Sequence, residues 1–480
     1  MLSCGLPHFY MSSISNILQV VLLIFAVVMS FNLIIFFHEL GHFLAARWRG
    51  LKIERFQIWF GTPIWKKEIN GVQYGLGWIP AGGFVALPQM APMEAIEGSN
   101  SEVKALPPIT PLDKIIVAFA GPLFSMLLAL GAGVVVWGVG KPADFISTTQ
   151  IGFLVPGSPA EKAGLQIGDN IIAINNKQVN GFAGSLTSIQ ESIILSRGSE
   201  ISYTIKRVGS QELITLRSGF DTPKTRWFQR GGLRQVGIGP AGDSIVATVY
   251  PKSPAAKAGL SVGDQILTVD GLKLYGYPQF AKYLSDQKWK EVRLSVQSSA
   301  GVTREVSLTP ERPTKPANSD PMIGILWANP NDVDTTIVHP DPFRQVSDSL
   351  KMMWTTITSV VSPSSSIGVG HLSGPVGIAK LQYQLLQMED GWRRILAFMV
   401  LFNVNLAVLN MMPFPVLDGG HITLAILEKL SGRPVKAKVL EVLQTACALA
   451  LMSLMIFVTS KDIGDGFGQS EKKVEEVVFP

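Results

Sequence analysis

The chain has 480 residues, too many for one ordinary globular core, so several domains or a membrane part are expected. Apolar residues make up 47% and charged residues only 16%, against about 25% charge in a soluble domain, so long stretches must be nearly free of charge. The net charge of +5 gives no case for a nucleic-acid partner, and two distant cysteines, Cys4 and Cys447, exclude a disulfide framework and a cysteine-bound metal.

Four stretches are apolar and long enough to cross a bilayer, which takes about 20 residues. The first, 17–37, carries no charge, and it predicts a transmembrane helix over 13–42. No basic residue precedes it and no small-residue cleavage site follows, so it reads as a span and not as a signal peptide. Met11 reads as an alternative start. The span closes on His38-Glu39-Leu40-Gly41-His42. A basic loop, 43–114, follows with Arg47, Arg49, Lys52, Arg55, Lys66, Lys67, Lys104 and Lys114. Inside it, 72–84, which includes Gly82 and Gly83, is glycine-rich and strand-like with few charges. The second span is 115–139.

The segment 140–394 contains an internal repeat. Pro156-Gly-Ser-Pro-Ala-Glu-Lys-Ala-Gly-Leu-Gln-Ile-Gly-Asp169 returns as Pro251-Lys-Ser-Pro-Ala-Ala-Lys-Ala-Gly-Leu-Ser-Val-Gly-Asp264. Each copy runs into an alternating apolar stretch and then a turn, Asn175-Asn176 or Asp270-Gly271. Short helix, glycine turn and strand are predicted twice, in modules at 143–228 and 235–329. A Pro-rich stretch then leads to a closing strand at 323–327. Leu350, Met353, Trp354, Ile357, Val360 and Val361 recur at helical spacing within an approach segment, 342–394. That helix lies either on the membrane surface or against the module pair. The third span is 395–412. The loop after it, 413–441, holds Lys429, Arg433, Lys436 and Lys438. The fourth span is 442–458, and the tail beyond it is acid-rich. Basic flanks mark cytoplasmic loops, so both termini and the repeat are expected outside. The fold class is thus a polytopic α-helical membrane protein, with four transmembrane helices and two inserted α/β modules.

His38 and His42, four residues apart on a helix, share one face and can hold one metal ion. Glu39 beside them can take a proton from water at that metal. Two histidines leave a catalytic zinc short of a third protein ligand. The strongest candidate is Asp418, in Asn410-Met-Met-Pro413-Phe-Pro415-Val-Leu-Asp418-Gly-Gly-His421, with His421 as competitor. A carboxylate in this apolar setting is costly without a cationic partner, and a metal supplies one. Pro413 and Pro415 break the helix and leave backbone groups free at membrane depth, tolerated only where they line a cavity.

This combination resembles the site-2 protease family of intramembrane zinc metalloproteases, of the bacterial RseP (regulator of sigma-E protease) type. The repeat resembles a PDZ domain present twice. The likeness covers roughly 13–460. It implies one Zn2+ held by His38, His42 and Asp418, with Glu39 as general base. It also implies that Asn410 and Asn405 contact the substrate strand. Pro80-Ala-Gly-Gly-Phe-Val85 resembles the family's first-loop strand, which implies a membrane-associated hairpin carrying Gly82 and Gly83 whose open edge would pair with unwound substrate, although a plain covering hairpin has the same pattern. Two departures stand out: Ala86-Leu87-Pro88 where the family continues with lysine, and Ser125 where its G-P-x-x-N motif ends in asparagine. They bear on substrate preference and not on the metal. Implied partners are the bilayer and single-span membrane proteins, an anti-sigma factor or remnant signal peptides. The implied place is the bacterial inner membrane, with the active site near the cytoplasmic face. The PDZ pair would lie outside, screening substrates, binding peptide C-termini, or acting as a spacer.

Overall fold

The computed structural model describes residues 8–90, 109–143, 145–315, 319–328, 336–432, 437–466 and 477–479. Lys104, Arg433 and Lys436 of the basic flanks lie outside them. The chain divides into two compact units, 1–142 with 337–356 and 373–463, and 143–336 with 357–372 and 464–480.

Helix α1 spans His8–Trp48. It continues past residue 42, because Phe43-Leu-Ala-Ala-Arg-Trp48 are serviceable helix residues. It ends where Gly50 turns left-handed and Leu51 N–H donates back to the Ala46 carbonyl. Strands β1 (Arg55–Ile69) and β2 (Val72–Ala86) form an antiparallel hairpin on a left-handed Asn70-Gly71 turn. Both strands bend. Phe56 pairs with Tyr74 on one side and Val85 on the other, so 55–58 runs between 73–76 and 83–86. The buried Gln57 amide donates to the Trp59 and Gly61 carbonyls and fixes the bend. Segment 83–86 is left as an edge among the described residues. Helix α2 (Pro111–Val139) starts on a capping box of Thr110 and Asp113, and Asp113 also takes Arg49 at 2.6 Å. The two-residue strand β3 (Lys141–Pro142) follows.

The second unit holds the two modules. The first comprises β4 (Ile151–Leu154), α3 (Pro159–Lys162), β5 (Asn170–Ile174), β6 (Lys177–Gln178), α4 (Ile189–Ile194), β7 (Ile201–Lys206), β8 (Leu213–Ser218) and β9 (Ile238–Pro240). The second repeats the order as β10 (Val246–Val249), α5 (Pro254–Lys257), β11 (Gln265–Val269), β12 (Leu272–Lys273), α6 (Tyr277–Asp286), β13 (Val292–Gln297), β14 (Thr303–Leu308) and β15 (Ile325–Trp327). The sheets match, β6-β5-β7-β8 with β4-β9 and β12-β11-β13-β14 with β10-β15. The repeated residues explain the likeness. Ser158 and Ser253 cap α3 and α5. Asp169 and Asp264 each accept from a turn amide and pair with Arg207 or Arg304. The first module reaches beyond residue 228, because its closing strand β9 comes ten residues later and pairs back with β4. That strand is short and glycine-interrupted, so alternation does not announce it.

Strand β16 (Ile337–Val338) pairs with β3, and α7 (Pro342–Val361) follows. Phe343, Leu350, Trp354 and Val361 form one exposed stripe along α7. Helix α8 (Pro375–Gln387) begins where Gly374 and Gly377 N–H donate to the Asp462 carboxylate at 3.0 and 2.8 Å. The glycines are needed because a Cβ at Gly377 would collide with that carboxylate. Helices α9 (Gly391–Asn410), α10 (Asp418–Ser431) and α11 (Ala437–Gly466) complete the first unit. Among the described residues, four helices are long and apolar enough to cross a membrane, over Leu18–Trp48, Pro111–Val139, Gly391–Asn410 and Lys438–Gly466. Phe43, Phe56, Val85 and Val117 join the hairpin to α1 and α2, while Ile34, Val136, Met399 and Val400 join α1, α2 and α9.

Candidate active site

His38 and His42 lie one turn apart on the face of α1 that meets α2. Gly41 permits that crossing, since a Cβ there would collide with the Ala120 carbonyl. The outer ring nitrogens are fixed. His42 Nδ1 lies 2.8 Å from the Val117 carbonyl and His38 Nδ1 lies 2.9 Å from Ser125 Oγ. A carbonyl only accepts, so His42 Nδ1 carries a proton, and the neutral ring turns a lone pair inward at Nε2. Asp418, the first residue of α10, meets both rings. Its Oδ2 is 3.2 Å from His38 Nε2, its Oδ1 is 3.4 Å from His42 Nε2, and the two Nε2 atoms are 3.3 Å apart.

These separations fit a zinc ion. Bonds of about 2.0–2.1 Å in a tetrahedron place neighbouring ligand atoms about 3.3 Å apart. Gly121 supplies the space, because a Cβ there would collide with His42 Nε2 and stand 2.9 Å from His38 Nε2. Lone pairs and a carboxylate converging in a buried site repel one another unless a cation lies between them.

Glu39 shares a cavity of about 210 Å³ with His38, His42, Asp418, Asn410 and the end of β2. The strand passes directly over it: a Cβ on Gly83 would sit 3.5 Å from Glu39 Cγ and 3.3 Å from Ile35 Cγ2. Asn410 closes α9 with its Nδ2 3.2 Å from His38 Nε2. His421 lines the cavity one turn beyond Asp418 but stands outside the three-ligand cluster.

Other expected residues are not brought to the cavity. Asn405 is half-buried higher on α9, with its Oδ1 shielded and unpartnered among the described residues. Pro413 and Pro415 shape the loop between α9 and α10, where Val416 and Leu417 reach the cavity instead. Gly82 is left-handed and packs against the Phe60 ring. The glycines after Asp418 serve the loop rather than the ion. Cβ atoms at Gly419 and Gly420 would collide with the Met411 and Phe414 carbonyls. Ser125, expected to bear on substrate preference alone, instead sets its hydroxyl against the His38 ring and so bears on the three-residue cluster that could hold a metal. Gly121 and Val117 carried no functional expectation; the Gly-Pro pair within an apolar span was the available signal.

A family model described as "Peptidase family M50" matches residues 25–454. The chain belongs to peptidase family M50. This M50 chain is thus an intramembrane zinc metalloprotease. It is 27% identical over 447 residues to the regulator of sigma-E protease RseP of Salmonella typhimurium, covering 90% of this chain and 96% of the relative. It is 28% identical over 447 residues to protease RseP of Yersinia pestis, with the same coverage of 90% and 96%. A Neisseria meningitidis relative whose name includes "zinc metalloprotease" is 27% identical over 452 residues, covering 90% of this chain and 96% of the relative. Among solved structures, the PDZ domain of an SdrC-like protein from Listeria innocua is similar, at 26% identity, 18% of this chain, 94% of that chain and a TM-score of 0.16.

Proposed function

We propose that this M50 protease cuts a peptide bond within the transmembrane segment of single-span membrane proteins, with His38, His42 and Asp418 holding the zinc. The observation that carries the reading is the joint opening of the ligand cluster, Glu39 and a strand edge onto one cavity. A bound zinc supplies Lewis-acid polarisation of the scissile carbonyl. Glu39 accepts the proton of the attacking water on its carboxylate and returns it to the leaving amine.

A transmembrane helix hides its backbone in its own hydrogen bonds, so it must unwind before it can be cut. The open edge at 83–86 offers it replacement partners by strand addition. Asn410 provides both a donor and an acceptor beside the cluster. Ile64, Trp65 and Trp78 on the hairpin are exposed and apolar, which supports insertion of the hairpin into the bilayer. The exposed stripe on α7 supports a helix lying on the membrane surface. Basic flanks support cytoplasmic loops at 41–114 and 413–441, with the PDZ-like pair on the outer side of a bacterial inner membrane. There the pair would screen substrates. Likeness to relatives named as regulators of sigma-E protease makes an anti-sigma factor the first substrate to test, with remnant signal peptides second.

Co-expression of a single-span reporter tests this. Glu39→Gln keeps the side-chain shape but removes the base, so cleavage should fall by about a thousandfold or more while zinc content stays level. Cleavage at the wild-type rate sinks the reading.

A further inference from the structure

The family match ends at residue 454, and the chain runs on to residue 480. Chain ends stay poorly ordered unless something ties them down. Here two anchors do so, both within the second unit. The first is on the first module. A Cβ at Gly464 would stand 2.1 Å from the Phe228 carbonyl oxygen, so only glycine lets the end of α11 meet that carbonyl. Arg230 N–H donates to Asp465 Oδ1 at 3.0 Å, and Arg230 Nη1 pairs with Asp465 Oδ2 at 3.2 Å.

The second anchor is on the second module, and it is made by Val477-Val-Phe479, an apolar end that follows the charged run Glu471-Lys-Lys-Val-Glu-Glu476. Val478 forms an antiparallel bridge with Lys315. Its N–H donates to the Lys315 carbonyl at 3.1 Å, while Thr314 N–H and Oγ1 donate to its carbonyl at 2.7 and 2.8 Å. Phe479, the next residue, is 3% exposed. Its ring packs over Gly324, where a Cβ would stand 2.7 Å from Phe479 Cε2 and 2.2 Å from Ser253 Cβ. Backbone pairing at one residue and a buried side chain at the next is the pattern of an added strand. The tail pairs with the Pro-rich stretch ahead of β15, whereas β15 itself pairs with β10.

We propose that Thr314, Lys315 and Gly324 form a docking surface for an extended segment carrying an aromatic residue, and that the chain's own residues 477–479 occupy it in cis. The occupant is the tail because Asp465 already holds its near end. A link of roughly ten residues then keeps the far end at an effective concentration in the millimolar range. A segment of another protein has to displace it, so this surface of the second module is closed while the tail is seated. The contacts come from the Val478 backbone and the Phe479 ring, and a free peptide carboxylate is not needed for them. The proposal does not rest on the catalytic assignment.

The test uses the full-length Glu39→Gln protein in detergent and the same protein ending at Ser470. The probe is a fluorescent peptide of residues 470–480, made also with two glycines added after Pro480 and with Phe479→Ala. The shortened protein should bind the peptide, and the full-length protein should bind it at least about fivefold more weakly because its own tail competes. The glycine-extended peptide should bind the shortened protein within about twofold of the original, since strand addition does not read the chain end. The Phe479→Ala peptide should bind at least about tenfold more weakly, the worth of burying the ring. Hydrogen exchange at Thr314 should quicken at least about tenfold on shortening and slow again when peptide is added. Equal binding to the two proteins, no binding to the shortened one, loss of binding on glycine extension, undiminished binding of the Phe479→Ala peptide, or unchanged exchange at Thr314 overturns the proposal. If the shortened protein does not fold, Phe479→Ala in the full-length protein decides instead. It should bind the unmodified peptide at least about threefold more tightly than the full-length parent, and equal binding overturns the proposal. None of these readouts depends on peptide cleavage, so they fail separately from the protease assignment.

Discussion

At the scale of residues, the site rests on what surrounds the ligands as much as on the ligands. Gly121→Ala makes this measurable. Alanine favours a helix interior by about 1 kcal/mol over glycine, so α2 itself should be undisturbed. The added methyl would nonetheless occupy the place of His42 Nε2, and Val117 holds that ring from the other side. Zinc content of the purified variant should fall to about a tenth or less of wild type, within the range that loss of a supporting partner costs. Full occupancy would mean that the rings move freely and that Gly121 does not shape the site. Ser125→Ala removes only the hydroxyl beside His38 and should weaken zinc binding by about tenfold to a hundredfold, read by competition with a chelating dye. The proposed ligands, which the structure brings together, were legible in the sequence because each declares its chemistry: two histidines at helical spacing, a carboxylate in apolar surroundings. Gly121 was not, since space is not a residue property, and Ser125 looked like a loss only because its partner lay on another helix.

At the scale of elements, the hairpin carries the most function for its size. The sequence announces it through the glycine-rich run 72–84 and the Pro80–Val85 segment, while the Asn70-Gly71 turn that closes it went unread. What the sequence does not announce is the double bend that sets 55–58 between two pairing partners and leaves 83–86 as the edge. That arrangement depends on long-range register, fixed by Gln57 and the close approach at Gly83. Side chains and hydrogen-bonding groups alternate along a strand, and the Ala86 carbonyl accepts from Glu54 N–H toward β1. Val85 and Gly83 therefore direct their backbone groups outward. Proline is tolerated at edge positions whose N–H faces away from the sheet, so Val85→Pro should fold. It should cut a helical membrane substrate about tenfold more slowly, the worth of one lost backbone hydrogen bond in a buried setting. Cleavage of an unstructured peptide with the same sequence should change less. Equal slowing of both substrates would show that the edge does not assist unwinding. The modules tell the opposite story. Their repeat made helix, turn and strand readable twice, yet β9 was missed because a module closed by its last strand gives no local sign of closure.

At the scale of the whole molecule, the charge pattern favours one orientation, which we propose for the chain. Basic residues concentrate between the first two spans and between the last two, and crossing the bilayer with them is costly. In that proposal the four candidate spans among the described residues put the repeated modules on the side opposite those loops. Two positions can report this after Cys4 and Cys447 are replaced by serine. Trp227 is 88% exposed in the first module, and Ser431 is exposed at the end of α10, in the second basic loop. Trp227→Cys should react with a membrane-impermeant thiol reagent on intact spheroplasts. Ser431→Cys should react only after permeabilisation. The reverse pattern would place Glu39 and the ligand cluster toward the outer face, and would leave the modules unable to meet the outer domains of substrates. The orientation therefore decides what the PDZ-like pair can screen.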